Sequence, residues 1–195
     1  MRVLAAAEHL LGLGQHGFSM RELAAAAGVS FATPFNLFGS KGAIVQALSA
    51  ERIARMTARF GEAAPASEAA SRVLAAVDVA VSVMLETPAA SRAVMGALGS
   101  PGEAPGEVAQ RSRALWTLAL GGGEGLAPDT VDLALAILPD HLAAAFRGVL
   151  SFWSAGEVSD AALRARARQA AAALLLGFTH EQSRARLIKI LEDAE

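Results

Sequence analysis

Apolar residues recur along most of this chain at intervals of three and four, the spacing that places them on one face of an α-helix. Turns rich in glycine, proline and serine separate these periodic segments. Helices are predicted over residues 2–13, 20–27, 31–38, 41–60, 68–86, 107–120, 128–155 and 161–177, with a short helix ending near Leu98 and a last one ending near Asp193. Alanine is abundant, tyrosine is absent and β-branched runs are scarce, so the sequence predicts an all-α protein.

Residues 19–41 contain two short helices joined by a tight turn. Ser19 followed by Glu22 is a capping box, in which the hydroxyl and the carboxylate each bond an unpaired amide at the helix start. Gly28 ends this helix, because glycine adopts a positive φ most easily, and Ser30 is placed to cap the next helix. This order predicts a helix-turn-helix, whose second helix lies in the DNA major groove. The alternative is two surface helices of an ordinary bundle.

A resemblance to a known family rests on the same segment. The residues that carry it are Gly17 to Ala24, Ala27 to Ser30, Thr33, Phe35, Phe38, Ser40 and Lys41. Over roughly the first 55 residues the chain resembles the N-terminal domain of TetR-type bacterial repressors. The resemblance implies a three-helix DNA-binding head over residues 1–60, including the start of the fourth helix, and a larger helical ligand-binding and dimerisation bundle over residues 61–195.

The sequence departs from the family at Pro34, where the family has an inward-facing leucine or isoleucine, and at Phe35, where it has a tyrosine. Proline has no amide to donate, so we expect the third helix to begin at or just before Pro34, with Thr33 as a second cap. The residues expected to contact base edges are Phe31, Ala32, Thr33 and Asn36, since asparagine pairs with adenine and apolar groups contact the thymine methyl. The residues expected to contact phosphates are Ser19, Ser40 and Lys41.

Charge is distributed unevenly along the chain. The cationic residues within residues 1–60 are Arg2, Arg21, Lys41, Arg52, Arg55 and Arg59, and the carboxylates there are Glu8, Glu22 and Glu51. The balance is +3 against −2 for the whole chain, which leaves −5 for the remainder. A basic first third on an acidic body indicates that this end meets phosphate.

The resemblance also implies a ligand cavity among the fourth to eighth helices. The apolar residues expected to line it are Met56, Phe60, Val81, Met84, Met95, Leu98, Trp116 and Phe146. The alternative is that these residues are ordinary core, the usual place of methionines and aromatic residues at helical spacing. Asp78 offers a charge for a cationic ligand. However, Ser71, Ser82 and Glu86 lie on the same face of the predicted helix and form a polar stripe with it, a pattern typical of a solvated face.

The predicted helices at 129–155 and 159–177 are apolar on more than one side, which indicates that they pack between two surfaces. We expect them to form a four-helix bundle with a second copy of the chain, because a ridge of alanines allows close approach. The predicted interface residues are Phe152, Trp153, Ala162, Ala165, Ala170, Ala173, Leu174 and Gly177.

Catalytic and metal chemistry find no support in the sequence. Cysteine is absent, the four histidines form no i,i+4 pair, and the glycine run at 121–125 lacks the strand and the lysine of a phosphate-binding loop. We expect no metal, no cofactor, no enzymatic activity, no membrane span and a cytoplasmic location. The predicted function is a ligand-responsive transcriptional repressor that binds a pseudopalindromic double-stranded operator as a homodimer and is released by a small apolar or amphipathic ligand. The alternative is a helical ligand-binding or scaffold dimer that no longer binds DNA.

Overall fold

The structure, a computed structural model, describes residues 2–13, 17–62, 67–98 and 107–193. These ranges contain the helices α1 (Arg2–Gly12), α2 (Met20–Ala27), α3 (Ala32–Phe38), α4 (Lys41–Glu62), α5 (Ala69–Glu86), α6 (Pro88–Ala97), α7 (Val108–Leu120), α8 (Val131–Ser154), α9 (Asp160–Leu175) and α10 (Glu181–Glu192). The only β pairing within the described ranges is an isolated bridge between Leu126 and Thr179. The all-α prediction is confirmed. Gly14, where the sequence predicts the first helix to end, and residues 99–106, which it predicts to form a loop, lie outside the described residues.

Two hydrophobic clusters hold these helices together. The smaller, which we call the head core, joins α1, α2 and the start of α4 with two residues of α6; its buried members are Val3, Ala6, Ala7, Leu11, Phe18, Leu23, Ala27, Ile44, Val45, Leu48, Ala90 and Val94. The larger, the body core, lies among α4, α5 and α7 to α10 and includes Met95 of α6. The predicted division at residue 60 falls near the end of α4, but the head core is completed by α6, which follows that division.

Helix α4 belongs to both clusters. Ile44 and Leu48 on its first turns lie in the head core, while Met56 and Phe60 on its later turns lie in the body core. A continuous hydrogen-bonded helix of 22 residues transmits a displacement at one end to the other more rigidly than a loop does. Helix α4 therefore connects head and body directly, and α6 also has residues in both clusters.

Helix α8 is more apolar than the sequence analysis allowed. Its 24 residues are long and apolar enough to cross a bilayer by length and composition alone. Core helices of soluble proteins pass the same test when mostly buried, but only 33% of the apolar window of α8 is buried inside the chain. Helix α8 therefore presents an apolar face that the rest of the chain does not cover.

The corner between α8 and α9 is fixed by a buried indole. Trp153 donates its Nε1–H to Asp160 Oδ1 at 2.7 Å, and Arg92 donates to the same oxygen at 2.6 Å. The Arg92 guanidinium also lies over the indole ring, 4.5 Å from its centroid. Trp153 is fully buried within its own chain. Its predicted place in the dimer interface was therefore wrong, because Asp160 and Arg92 satisfy and cover it internally.

The stability of the fold should decrease at acid pH, in part because the Asp160 carboxylate becomes protonated. Hydrogen bonds from Arg92 and then Trp153 lower its pKa below the usual 3.8, so the ionised carboxylate stabilises the fold above that value. This contribution is lost as the pH falls through the lower pKa of the folded state. We expect the melting temperature of Asp160→Asn to decline less steeply than that of the wild type between pH 5.5 and 3. Parallel pH profiles of the two proteins would contradict this role.

Candidate nucleic-acid interface, body core and exposed helix face

The first helix of the predicted helix-turn-helix has the expected ends. The Ser19 amide donates to Glu22 Oε2 at 2.7 Å and the Glu22 amide donates to Ser19 Oγ at 3.2 Å, which confirms the capping box. The bond from the Ser19 backbone is also the main reason that the pKa of Glu22 is lowered. Gly28 has φ 62°, so the turn uses the left-handed conformation that glycine favours.

Helix α3 begins before Pro34 rather than at it. The Thr33 amide donates to the Ser30 carbonyl at 3.0 Å, so the carbonyl that Pro34 cannot bond already has a partner. The proline occupies the third position of α3 and is buried, as the family's leucine or isoleucine is. The expected cap from Ser30 to a backbone amide is absent from α3; Ser30 Oγ instead contacts Thr33 Oγ1 at 2.8 Å. The proline therefore leaves the start of α3 intact.

The outer surface of α3, which we call the reading surface, is largely apolar. Phe31, Phe35 and Leu37 are 55%, 41% and 63% exposed, and Ala32 and Asn36 are exposed beside them. Thus Phe31, Ala32 and Asn36 are exposed, as base contact would require, whereas Thr33 is half-buried. Of Phe35, Leu37 and Phe38, only Phe38 packs against the head core.

Two aromatic contacts hold the reading surface in place. The rings of Phe31 and Phe35 meet edge to face, with centroids 5.4 Å apart and planes at 66°. Arg21 of α2 lies over Phe31, with its guanidinium carbon 5.9 Å from the ring centroid. Phe31 is therefore supported on two sides while it remains more than half exposed.

The predicted phosphate contacts lie at the starts of α2 and α4. Ser40 Oγ accepts from the Ala43 amide at 3.2 Å, as Ser19 Oγ accepts at α2, so each hydroxyl keeps its hydrogen to donate to a phosphate. Lys41 is exposed, and its Nζ lies 5.1 Å from the centroid of the Phe18 ring. Gly17, at φ 125°, lies directly beneath Lys41, and a Cβ at that position would collide with Nζ. The ammonium group of Lys41 is thus held close to the start of α4.

Three of the six cationic residues within residues 1–60 pair with carboxylates of the chain. Arg52 bonds Glu8 Oε1 at 2.8 Å, Arg55 bonds Glu86 Oε2 at 3.3 Å, and Arg59 also pairs with Glu86. Arg52 is 2% exposed and donates from Nε to Ser91 Oγ of α6 at 3.2 Å. Two of the cations that give residues 1–60 their excess positive charge, Arg55 and Arg59, therefore pair with Glu86 of the body. The charge excess is not available to phosphate as a whole, contrary to its interpretation in the sequence.

The residues expected to line a ligand cavity form part of the body core. Seven of them are buried, and Leu98 is half-buried against the core; the seven are Met56, Phe60, Val81, Met84, Met95, Trp116 and Phe146. Trp116 and Phe146 pack edge to face with centroids 5.5 Å apart. Burial fits the ordinary-core alternative, and the role of these residues in a cavity stays a prediction. One feature differs from an ordinary core: the buried Trp116 Nε1–H has no hydrogen-bond acceptor among the described residues.

Asp78 is not free for a cationic ligand. Its Oδ1 accepts from Arg164 at 3.1 Å and its Oδ2 accepts from Arg168 at 2.5 Å, both from α9. Arg164 also donates to Ser82 Oγ at 3.0 Å. Asp78 and Ser82 therefore lie along the seam between α5 and α9, where the charge of Asp78 is neutralised, whereas Glu86 pairs with Arg55 and Arg59 of α4.

The uncovered face of α8 continues onto α9. Phe152 is 56% exposed, and the other predicted interface residues apart from Trp153 are exposed or half-buried: Ala162, Ala165, Ala170, Ala173, Leu174 and Gly177. A groove of about 410 Å³ crosses this face, lined by Val149, Phe152, Glu157, Val158, Arg166, Gln169 and Ala170. The interface assignment stays a prediction; of its residues, the groove brings together Phe152 of α8 and Ala170 of α9.

The capped α2, the glycine turn and the exposed α3 define a helix-turn-helix DNA-binding protein. Residues 3–48 match the family of bacterial regulatory proteins described as the tetR family. A TetR transcriptional regulator from Rhodococcus sp. RHA1 is similar in structure, with a TM-score of 0.69 and 25% identity over 89% of this chain and 93% of that chain. No significant match exists among curated proteins. Residues 3–48 therefore form a DNA-binding domain of the TetR type, which confirms the resemblance noted in the sequence, and both matches support a transcriptional regulator.

Proposed function

We propose that this regulator is a cytoplasmic homodimeric repressor that binds a pseudopalindromic operator and is released by a small apolar or amphipathic ligand. The observation that carries the proposal is the exposed reading surface on an intact α3, framed by the helix starts at Ser19 and Ser40. The alternative is a dimer that no longer binds DNA, which a disrupted α3 would favour. Pro34 does not disrupt α3, because the Thr33 amide bonds the Ser30 carbonyl and the helix starts without the proline amide.

Dimerisation would cover the apolar face of α8 and α9. A two-fold axis places the same surface of both copies in contact, so the surface must be complementary to itself. Small side chains on α9 permit close helix approach, and the groove holds both an acidic and a basic residue, Glu157 and Arg166, for pairing between copies. Two heads related by this axis would read half-sites about 34–36 Å apart or a multiple of that distance.

The ligand would enter the body core beside Trp116. A buried indole N–H without an acceptor costs free energy, which a ligand oxygen or nitrogen would recover. The surrounding side chains are apolar, including Met56 and Phe60 of α4. Insertion there would displace α4 and with it the head. A typical coupling of about 1–3 kcal/mol changes DNA affinity roughly 5–150-fold.

Selection from random duplex DNA tests the function directly. Purified protein is incubated with random-sequence duplexes, and the retained DNA is amplified and sequenced over several rounds. Enrichment of a two-fold symmetric motif is the expected result. No enrichment at low salt, with a folded dimer demonstrated in the same sample, would favour the scaffold that no longer binds DNA.

Lys41→Ala should weaken binding to all DNA about equally. Lys41 is expected to neutralise one phosphate, so its loss should reduce the slope of log K against log salt by roughly one unit. Fluorescence anisotropy across a salt series, on selected and scrambled duplexes, measures both effects. Arg111→Ala is the matched control, since Arg111 is an exposed cation on α7 paired with Glu107. A loss confined to the selected duplex would show that Lys41 reads sequence instead.

A further inference from the structure

The reading surface has few groups that can hydrogen-bond to bases. Helix α3 consists of Ala-Thr-Pro-Phe-Asn-Leu-Phe and carries no charged residue. Its two polar side chains are Thr33, whose hydroxyl already contacts Ser30 Oγ, and Asn36, which is exposed. Asn36 is therefore the main hydrogen-bonding group that α3 offers to a base edge.

Bulky apolar side chains occupy most of the remaining surface. Phe31 and Leu37 are each more than half exposed, and Phe35 is 41% exposed. In the major groove of DNA, the bases present hydrogen-bond donors and acceptors, and the one apolar group is the C5-methyl of thymine. An apolar surface gains binding energy there only where such methyl groups lie.

We propose that the regulator selects its operator chiefly through pyrimidine 5-methyl groups, which pack against Phe31, Phe35 and Leu37 in the major groove. This inference rests on the proposed function. The support of Phe31 by Phe35 and Arg21 reduces the ordering required on binding. Thymine supplies the methyl in ordinary DNA, and 5-methylcytosine carries the same group.

Asn36 gives the surface a matching polar contact. Asparagine bonds adenine through two hydrogen bonds in the major groove, and adenine pairs with thymine. A single A·T pair can therefore offer its adenine to Asn36 and its methyl to an adjacent ring. We expect each selected half-site to have A·T pairs beneath α3.

Removal of methyl groups from the selected operator tests the inference. Thymines in one half-site are replaced singly by deoxyuridine, which keeps every hydrogen bond and loses only the methyl. Each contacted methyl should be worth about fourfold in Kd, the value for burying one such group. In Phe31→Ala, replacing the thymine that Phe31 contacts by deoxyuridine should leave Kd almost unchanged. Leu118→Ala, a similarly exposed apolar residue on α7, should keep the full penalty.

A second substitution identifies the source of the methyl. A contacted T·A pair is changed to C·G and then to 5-methylcytosine·G. If the added methyl restores part of the lost affinity, the surface accepts either pyrimidine; if it does not, thymine with its adenine partner is required. Each result supports packing against thymine, provided that the deoxyuridine penalty is present.

The failures of the two proposals are distinguishable. An enriched motif whose affinity is unchanged by deoxyuridine, or a motif of G·C pairs beneath α3, would overturn the methyl inference and leave operator binding intact. Absence of any enriched motif would overturn both. Thermal unfolding of Phe31→Ala is measured alongside, because a lost deoxyuridine penalty reports on contact with DNA only in a variant that is folded.

Discussion

Phe152→Asp is expected to separate the proposed dimer and to lower affinity for the full operator by about 100-fold or more. The substitution places a carboxylate on the apolar face of α8 and α9, where burial between two copies would remove it from water at a large cost in free energy. A dimer binds both half-sites through one linked event, and that linkage typically contributes a factor of 10²–10⁴. Analytical ultracentrifugation measures the oligomeric state, and a DNA titration of the same sample measures affinity.

Leu118→Asp is the control for this substitution. Leu118 is 49% exposed on α7, close to the exposure of Phe152, but it lies outside the predicted interface. It should leave the oligomeric state and the DNA affinity within a small factor of the wild type. A Phe152→Asp protein that remains a dimer would place the interface elsewhere, whatever happens to DNA binding.

Glu8→Ala is expected to lower the free energy of unfolding by about 3 kcal/mol, the lower end of the range for a broken buried ion pair. The change leaves Arg52 charged and buried, with Ser91 Oγ and the Leu48 carbonyl as its remaining hydrogen-bond acceptors. Burial already lowers the pKa of the Arg52 guanidinium, while the Glu8 carboxylate opposes that effect. Chemical denaturation followed by circular dichroism measures the loss.

Two further variants separate a buried charge from a lost surface contact. Glu107→Ala removes the partner of Arg111 in an exposed i,i+4 pair and should change stability by less than about 0.5 kcal/mol. Glu8→Ala combined with Arg52→Met should recover much of the loss, because no unpaired charge stays buried. If Glu8→Ala costs no more than Glu107→Ala, the ion pair does not hold α1 against α4 and α6.

The helix-turn-helix was predictable because its determinants are local. Ser19 and Glu22 are three residues apart, and Gly28 sets the turn through its own backbone. The predictions that failed concern side chains whose partners are distant in the sequence. Trp153 was expected outside, but Asp160 and Arg92 meet it within the chain.

The charge pattern failed for the same reason. Arg52, Arg55 and Arg59 follow one face of α4, and nothing in their spacing indicates that Glu8 and Glu86 will meet them rather than DNA. The ligand cavity and the dimer interface stay predictions, since each depends on a molecule beyond this chain. The sequence indicates which side chains are apolar, but not whether a ligand or a second copy touches them.

The contribution of α6 to the head core means that the DNA-binding head is not a portable module. A chimaera that joins residues 1–60 to the body of another regulator would lose Ala90 and Val94, leaving an open side in the head core. It would also lose Ser91, the hydrogen-bond partner of the buried Arg52. Exchange of operator specificity between such regulators therefore calls for grafting the few residues of α3 into a resident head, or for transferring the matching surface of α6 along with the head.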